Sequence, residues 1–413
     1  MVRAIVKILM AIKLPGDKFL LLNNRVVTDI ENYKTLLDKI FGVASATFDP
    51  NNPITNNVIG ALNHPTEFVE FRNNFTERLY RLKDIYSTHP DYLKEILVQL
   101  NLIANPKNWE GAFAELVAFD HLNKDILKRK TYLSNPIKPN ITIDKSRTFA
   151  DELGKKEANL DGYAEDIPLY FDVKCFKDNV KEILEGLYKE IQIHFAVYDL
   201  NIMAEYALDV SYDDFQKNRN SLLNELQSAI DVNKKTPFVK SKIIPTLNYR
   251  IHWGAGIQTA ERSYHPYSHA ENFHKVLFSY ANKFVKDEAS LIVLVIFPWY
   301  NPVISDFANA NRKLYRAIAR RVFCQYKYDQ TKFKIFNPNF KGEQTIYQVS
   351  NHLSGIIFLE DHTILSKESN KTNVKSFVYL NPNATIKISN SFASGFLLGL
   401  GDSEFDDFEH DNY

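Results

Sequence analysis

Asp172 and Lys174 stand two residues apart in PLYFDVKCF, whose other members Leu169, Phe171, Val173 and Cys175 are what a buried strand requires. A buried charge is costly unless it is paired, hydrogen-bonded or bound to a metal. Side chains alternate along a strand, so Asp172 and Lys174 share one face while Phe171, Val173 and Cys175 share the other. The preceding NLDGYAEDIP reads as the other arm of a hairpin with its turn inside AEDIP, which sets Asp161 opposite Asp172 on the same face. Two adjacent carboxylates favour each other's protonation unless a cation sits between them. A hard divalent ion, accepting carboxylate, carbonyl and water oxygens, would do so. A third carboxylate comes from NWEGAFAELVAFDHL, where the helical neighbours of Glu115 are Gly111, Ala112, Ala118 and Phe119. A glutamate on such a small, apolar face has a reason to point inward, and small neighbours let the helix approach a sheet closely.

Several elements must position these groups. Residues 1 to about 105 read as a helical lead-in. Leu79, Leu82 and Ile85, then Leu93, Ile96, Leu97 and Leu100, recur at helical spacing on either side of Pro90. Asn105-Pro106 has the form of an N-cap followed by a first-turn proline, and opens the Glu115 helix, which runs to about Leu122. A strand around ITI (141–143), a charged loop DKSRTFADELGKKEA and the hairpin follow. Next, Val180, Ile183, Leu184, Leu187, Tyr188, Ile191 and Phe195 form one helical stripe, with Asn179 and Glu182 at capping-box spacing. Residues 199 to about 245 read as a polar, mostly helical insertion. TLNYRIHW, LIVLVIFPW, SGIIFLE and KSFVYLN read as strands, and the final GDSEFDDFEHDNY as a mobile acidic tail. Helix, strands, helix, strands implies an α/β or α+β fold with a mixed central sheet flanked by helices.

Composition narrows the class. The 413 residues are 45% apolar and 24% charged with no formal net charge, which excludes a disordered chain and a uniformly basic nucleic-acid binder. Cys175 and Cys324, the only cysteines, form no CxxC pattern, which argues against a disulfide framework or zinc ribbon and fits a reducing, cytoplasmic setting. MVRAIVKILMAIKLPG is interrupted by Lys7 and Lys13 and reads as a buried strand or helix; no stretch is long enough for a membrane span.

Glu115, Asp161, Asp172-Val173-Lys174 and the helix after them resemble the PD-(D/E)xK nuclease superfamily, over Asn108 to Phe195, although Asp161 follows Asn159-Leu160 and not the proline that names the motif. The resemblance implies a restriction-endonuclease-like fold over about 106–400 with an insertion at about 199–245, a helical region at 1–105 and a tail at 401–413. It implies that Asp161, Asp172 and the Val173 carbonyl hold Mg²⁺, with Mn²⁺ substituting. It also implies that Glu115 binds the ion directly or through water, and that Lys174 positions the attacking water and helps deprotonate it. The implied partner is nucleic acid, double-stranded DNA in the first place, with restriction, phage defence or a mobile element as the setting by analogy. RNA, single-stranded or branched DNA, or a catalytically silent nucleic-acid binder on the same fold are the alternatives. The N-terminal region would serve specificity, self-association or a partner protein.

Weaker signals are Gln192, on the helix after the DxK strand, and Arg262, Tyr264 and His265 in a histidine-rich segment, as candidate substrate contacts. Lys177, Arg147 and Lys155-Lys156 flank the hairpin and could line a phosphate groove. The spacings of His252, His265, His269 and His274 match no standard zinc pattern.

Overall fold

Parallel strands buried on both faces need near-continuous apolar sequence, and ASLIVLVI and GIIFLED supply it at the centre of the main sheet. The computed structural model describes residues 17–48, 56–64, 66–105, 107–124, 126, 132–177, 179–196, 200–205, 212–230, 238–253, 266–299, 310–363, 374–393 and 404–408. The N-terminal apolar run, 1–16, lies outside them. Among the described residues no helix is long and apolar enough to cross a membrane.

Helices come first: α1 (Asp17–Phe41), α2 (Asn57–Leu62), α3 (Val69–Tyr86), α4 (Pro90–Leu102) and α5 (Trp109–Leu122). The Asn56 side chain caps α2 by accepting from the Ile59 N–H at 2.9 Å, and Pro90 opens α4. Leu79, Leu82, Ile85, Ile96 and Leu100 are buried, as their spacing predicts. Asn105 does not cap α5, contrary to expectation. Its side chain accepts from the Lys107 N–H in a local turn, and Asn108 precedes the first residue of the helix.

Strands β1 (Lys138–Asp144), β2 (Glu157–Ala164) and β3 (Leu169–Cys175) form an antiparallel meander. After an excursion that contains α6 (Asn179–His194), β4 (Leu200–Glu205), α7 (Tyr212–Ala229), β5 (Phe238–Lys240), β6 (Asn248–Trp253) and α8 (Pro266–Phe278), the chain returns as β7 (Ala289–Ile296), parallel to β3. It continues through α9 (Ala310–Cys324) and α10 (Ile346–Ser350) to β8 (Gly355–Asp361), β9 (Val374–Leu380) and β10 (Glu404–Asp406). The seven-stranded mixed sheet has the order β1-β2-β3-β7-β8-β9-β10.

The chain divides into two compact units, the larger made of Leu20–Lys177 and His274–Tyr413, the smaller built on Asp178–Phe273. The expected boundary near 105 does not separate compact units. Helices α1 to α5 share one apolar core with Phe171, Val173, Leu291, Val293 and Leu359 of the sheet. Phe113 of α5 stacks on Phe297 at 5.0 Å and lies 6.2 Å from Phe75 of α3. The expected helical insertion is wider than 199–245 and partly β. Strands β4, β6 and β5 form their own antiparallel sheet, and Leu184, Leu187, Ile191, Leu222, Leu226 and Tyr249 form its core. NYRIHW therefore pairs in this small sheet and not in the main one. The acidic tail is not wholly free either. Residues 404–406 pair with β9, Asp406 meets Arg316 at 2.5 Å, and Phe408 is buried against Tyr379.

A buried charge network ties the helices to the sheet. Arg78 contacts Asp120 of α5 at 3.1 Å and Asp361 of β8 at 3.2 Å, and Arg81 bonds both oxygens of Asp120 at 2.8 Å. Burial pushes the Asp120 carboxyl up, but Arg81 and Arg78 outweigh it and hold the group below the usual carboxylate range. The resulting stability is therefore full above the ordinary aspartate value and is lost as pH falls through the lowered one. Asp120→Asn should cost about 3 kcal/mol of unfolding free energy. Glu77→Gln, at the exposed end of the same arginine's reach, should cost under about 1 kcal/mol. Urea unfolding of both variants at pH 7 checks the contrast.

Candidate active site

The hairpin ladder pairs Gly162 with Phe171, Tyr163 with Tyr170 and Ala164 with Leu169. Asp161 and Asp172 come one step further on, where the expected register sets them opposite each other. There a side chain replaces the backbone partner: the Val173 N–H donates to Asp161 Oδ2 at 2.6 Å. Lys174 Nζ lies 2.9 Å from Asp172 Oδ2 and 3.4 Å from Asp161 Oδ2, and donates to the Val173 carbonyl at 2.8 Å. The side chain of Asp172 is 1% exposed. Phe171 and Val173 enter the apolar core and Cys175 packs against it, as the alternation requires.

Helix α5 is apolar nearly all round because it lies between helices and sheet. It approaches the hairpin at Gly162, where an added Cβ would meet Ile137 at 3.0 Å and Phe119 of α5 at 3.3 Å. That closeness brings Glu115 within electrostatic reach of the aspartates. Burial, then Asp161 and Asp172, push the Glu115 carboxyl up to about 8 against the pull of Lys174 and Lys283. Burial and Asp172 push Asp161 up to about 6, opposed by Lys174, the Val173 N–H and Lys283. Burial works against the charge on Lys174, but Asp172 and Asp161 prevail and hold it above the usual lysine range.

Two members of this cluster have no counterpart in the sequence reading. Lys283 Nζ lies 3.2 Å from Asp172 Oδ1, and the Tyr280 ring centre is 5.6 Å from Lys174 Nζ. Both come from the turn that precedes β7 and packs against β2. The only signal was a lysine set among apolar residues in YANKFV ahead of an apolar strand.

Lys177 pairs with Glu110 at 2.8 Å, and Arg147 binds Asp287, Glu288 and the Tyr170 hydroxyl. Lys155 and Lys156 are exposed. Gln192 belongs to the smaller unit, where it donates to the Leu200 carbonyl at 2.8 Å. Arg262, Tyr264 and His265 lie outside the described residues. His274 is buried and bonds the Tyr326 hydroxyl at 2.9 Å within an aromatic cluster.

Among the described residues, no group of three or more His, Cys, Asp or Glu side chains is gathered tightly enough to hold a metal as it stands. The donor chemistry nevertheless suits a hard cation. Each Asp172 oxygen is buried and within ion-pair distance of a lysine, yet among the described residues neither receives a well-directed hydrogen bond. Asp161 and the Val173 carbonyl add oxygens beside it, and Lys174 occupies that carbonyl. No protein-family model, curated protein or solved structure matches the chain.

Because the Glu115 value is raised on folding, the folded state binds a proton that the unfolded state has released, and stability falls as pH rises from about 4.5 to about 8. Glu115→Gln removes this dependence. In chelator, its melting temperature relative to wild type should rise between pH 5 and pH 8; a constant difference would mean that Glu115 ionises freely.

Proposed function

We propose that this protein is a divalent-cation-dependent nuclease of the PD-(D/E)xK type that hydrolyses phosphodiester bonds in DNA. The observation that carries the reading is a buried aspartate, Asp172, that receives no directed hydrogen bond among the described residues and forms one electrostatic cluster with Asp161, Glu115 and Lys174, drawn from a helix and two strands. The mixed sheet, with an antiparallel hairpin preceded by the glutamate helix, supports a restriction-endonuclease-like fold.

Asp161, Asp172 and the Val173 carbonyl would hold Mg²⁺, with Glu115 joining directly or through water. The ion supplies charge neutralisation at the phosphate and acidifies bound water. The chain's own groups do the remaining work. The Val173 N–H fixes the Asp161 carboxylate in orientation. Lys174, held above the usual lysine range, serves as a cation and hydrogen-bond donor to the water and not as a base. It would offset the negative charge that gathers on the attacking water oxygen as that water's proton passes to solvent. Glu115, pushed up to about 8, must lose its proton to ligate, so ligation at Glu115 favours mildly alkaline pH.

The direct test offers plasmid, linear duplex, single-stranded DNA and RNA, each with Mg²⁺, Mn²⁺ or EDTA. Cutting should need a divalent ion and should vanish in Asp172→Asn, because a neutral amide is a poor Mg²⁺ ligand. Lys174→Ala at saturating protein should retain substrate binding in Ca²⁺ and cut about 10²-fold more slowly or worse. Full activity in purified Asp172→Asn would overturn the assignment.

A further inference from the structure

A single ammonium would neutralise Asp172, yet two lysines flank it, and the DxK spacing accounts for one. Lys174 is held by three oxygens, those of Asp172, Asp161 and Val173, and lies over the Tyr280 ring. Lys283 has, among the described residues, one ion pair, to Asp172 Oδ1 at 3.2 Å, and it is not a directed hydrogen bond. The backbone of Lys283 is fixed, since its N–H donates to the Tyr280 carbonyl at 2.8 Å and closes the turn. The Lys283 side chain, 17% exposed, thus reaches Asp172 from a fixed backbone.

Two aspartates are balanced by two lysines. A divalent ion ligated by Asp172 would meet an ammonium already on that carboxylate, and like charges at ligand distance repel. Both ammoniums must then draw back, Lys174 from the Val173 carbonyl and the aspartate oxygens that the ion would take, and Lys283, tied by that one ion pair, from Asp172 Oδ1. Once displaced, Lys283 is a compact, strongly hydrated cation beside the carboxylates, suited to a phosphate oxygen as a point charge.

We propose that Lys283 is a substrate-phosphate-binding residue that Asp172 retains until a divalent cation takes its place. The proposal rests on the reading of this site as a cation-dependent phosphodiesterase. It assigns Lys283 a part in the reaction separate from that of Lys174.

The test compares the full chain with Lys283→Met and Lys283→Arg. Mn²⁺ binding is followed by calorimetry without nucleic acid, and binding of a duplex oligonucleotide by anisotropy in Ca²⁺ over a salt series. Lys283→Met should bind Mn²⁺ about fivefold or more tightly than wild type, as expected when a competing occupant is removed. It should bind duplex more weakly, with a salt slope smaller by about one. Lys283→Arg, which keeps the charge, should lie near wild type in both. Mn²⁺ should also raise the melting temperature of Lys283→Met more than that of wild type, which separates lost competition from lost folding. Equal or weaker Mn²⁺ binding by Lys283→Met overturns the displacement, and an unchanged duplex affinity and slope overturns the phosphate role. Both quantities are read without cleavage. A wild type that binds Mn²⁺ and duplex with these differences but cuts nothing defeats the nuclease reading and leaves the role of Lys283 in binding supported.

Discussion

A carboxylate buried to 1% exposure on a central strand, with an ammonium on each side, is the interaction on which this site depends. A carboxylate buried there without a counter-charge would be costly, because desolvation of a lone ion takes several kcal/mol. Lys174 and Lys283 make the charge tolerable, but neither meets it in good hydrogen-bonding geometry. The carboxylate is thus compensated without being fully satisfied. Such an arrangement suits a group that must exchange partners, whereas a purely structural aspartate is better served by directed bonds. Asp120 provides that contrast within the same molecule: Arg81 bonds both of its oxygens at 2.8 Å, and Arg78 completes the set.

The rest of the larger unit holds this cluster in place. Strand β3 is paired along its length with β7, so the backbone carrying Asp172 and Lys174 is fixed while the hairpin partner β2 gives up its ladder beyond Gly162. Asp161 fills the gap by accepting from the Val173 N–H. Helix α5 sits against this junction because Gly162 leaves room for Phe119, and the aromatic stack of Phe75, Phe113 and Phe297 packs it from the other side. Glu115 is therefore delivered by packing. Its raised value follows from the same burial that positions it.

Much of this was legible in local sequence. Strand alternation gave the shared face of Asp172 and Lys174, the turn in AEDIP gave the hairpin register, and the apolar face around Glu115 gave its inward direction. What sequence could not supply was pairing between distant segments. Lys283 reaches Asp172 only because β7 returns beside β3 after the whole of the smaller unit, and no local periodicity encodes that return. The extent of that unit was hidden for a similar reason. The short strand Phe238–Lys240 falls inside the stretch read as a polar, mostly helical insertion, and only its pairing with β6 reveals it. Arg147, a candidate phosphate contact by composition, is instead committed to Asp287 and Glu288, which lie far along the chain. Asp406, at the end of β10, likewise meets a distant residue, Arg316 of α9.

Proton release on cation binding tests the site most directly. With Glu115 pushed up to about 8 and Asp161 up to about 6, the first is mostly protonated at pH 7 and the second mostly ionised. Mn²⁺ titrated into the nucleic-acid-free protein at pH 7, in buffers of different ionisation enthalpy, should bind and release about one proton per ion. Binding should be lost when Asp161 and Asp172 are both changed to Asn. Mn²⁺ binding that survives that double change, or no binding at millimolar ion, would contradict a cation site built on these carboxylates.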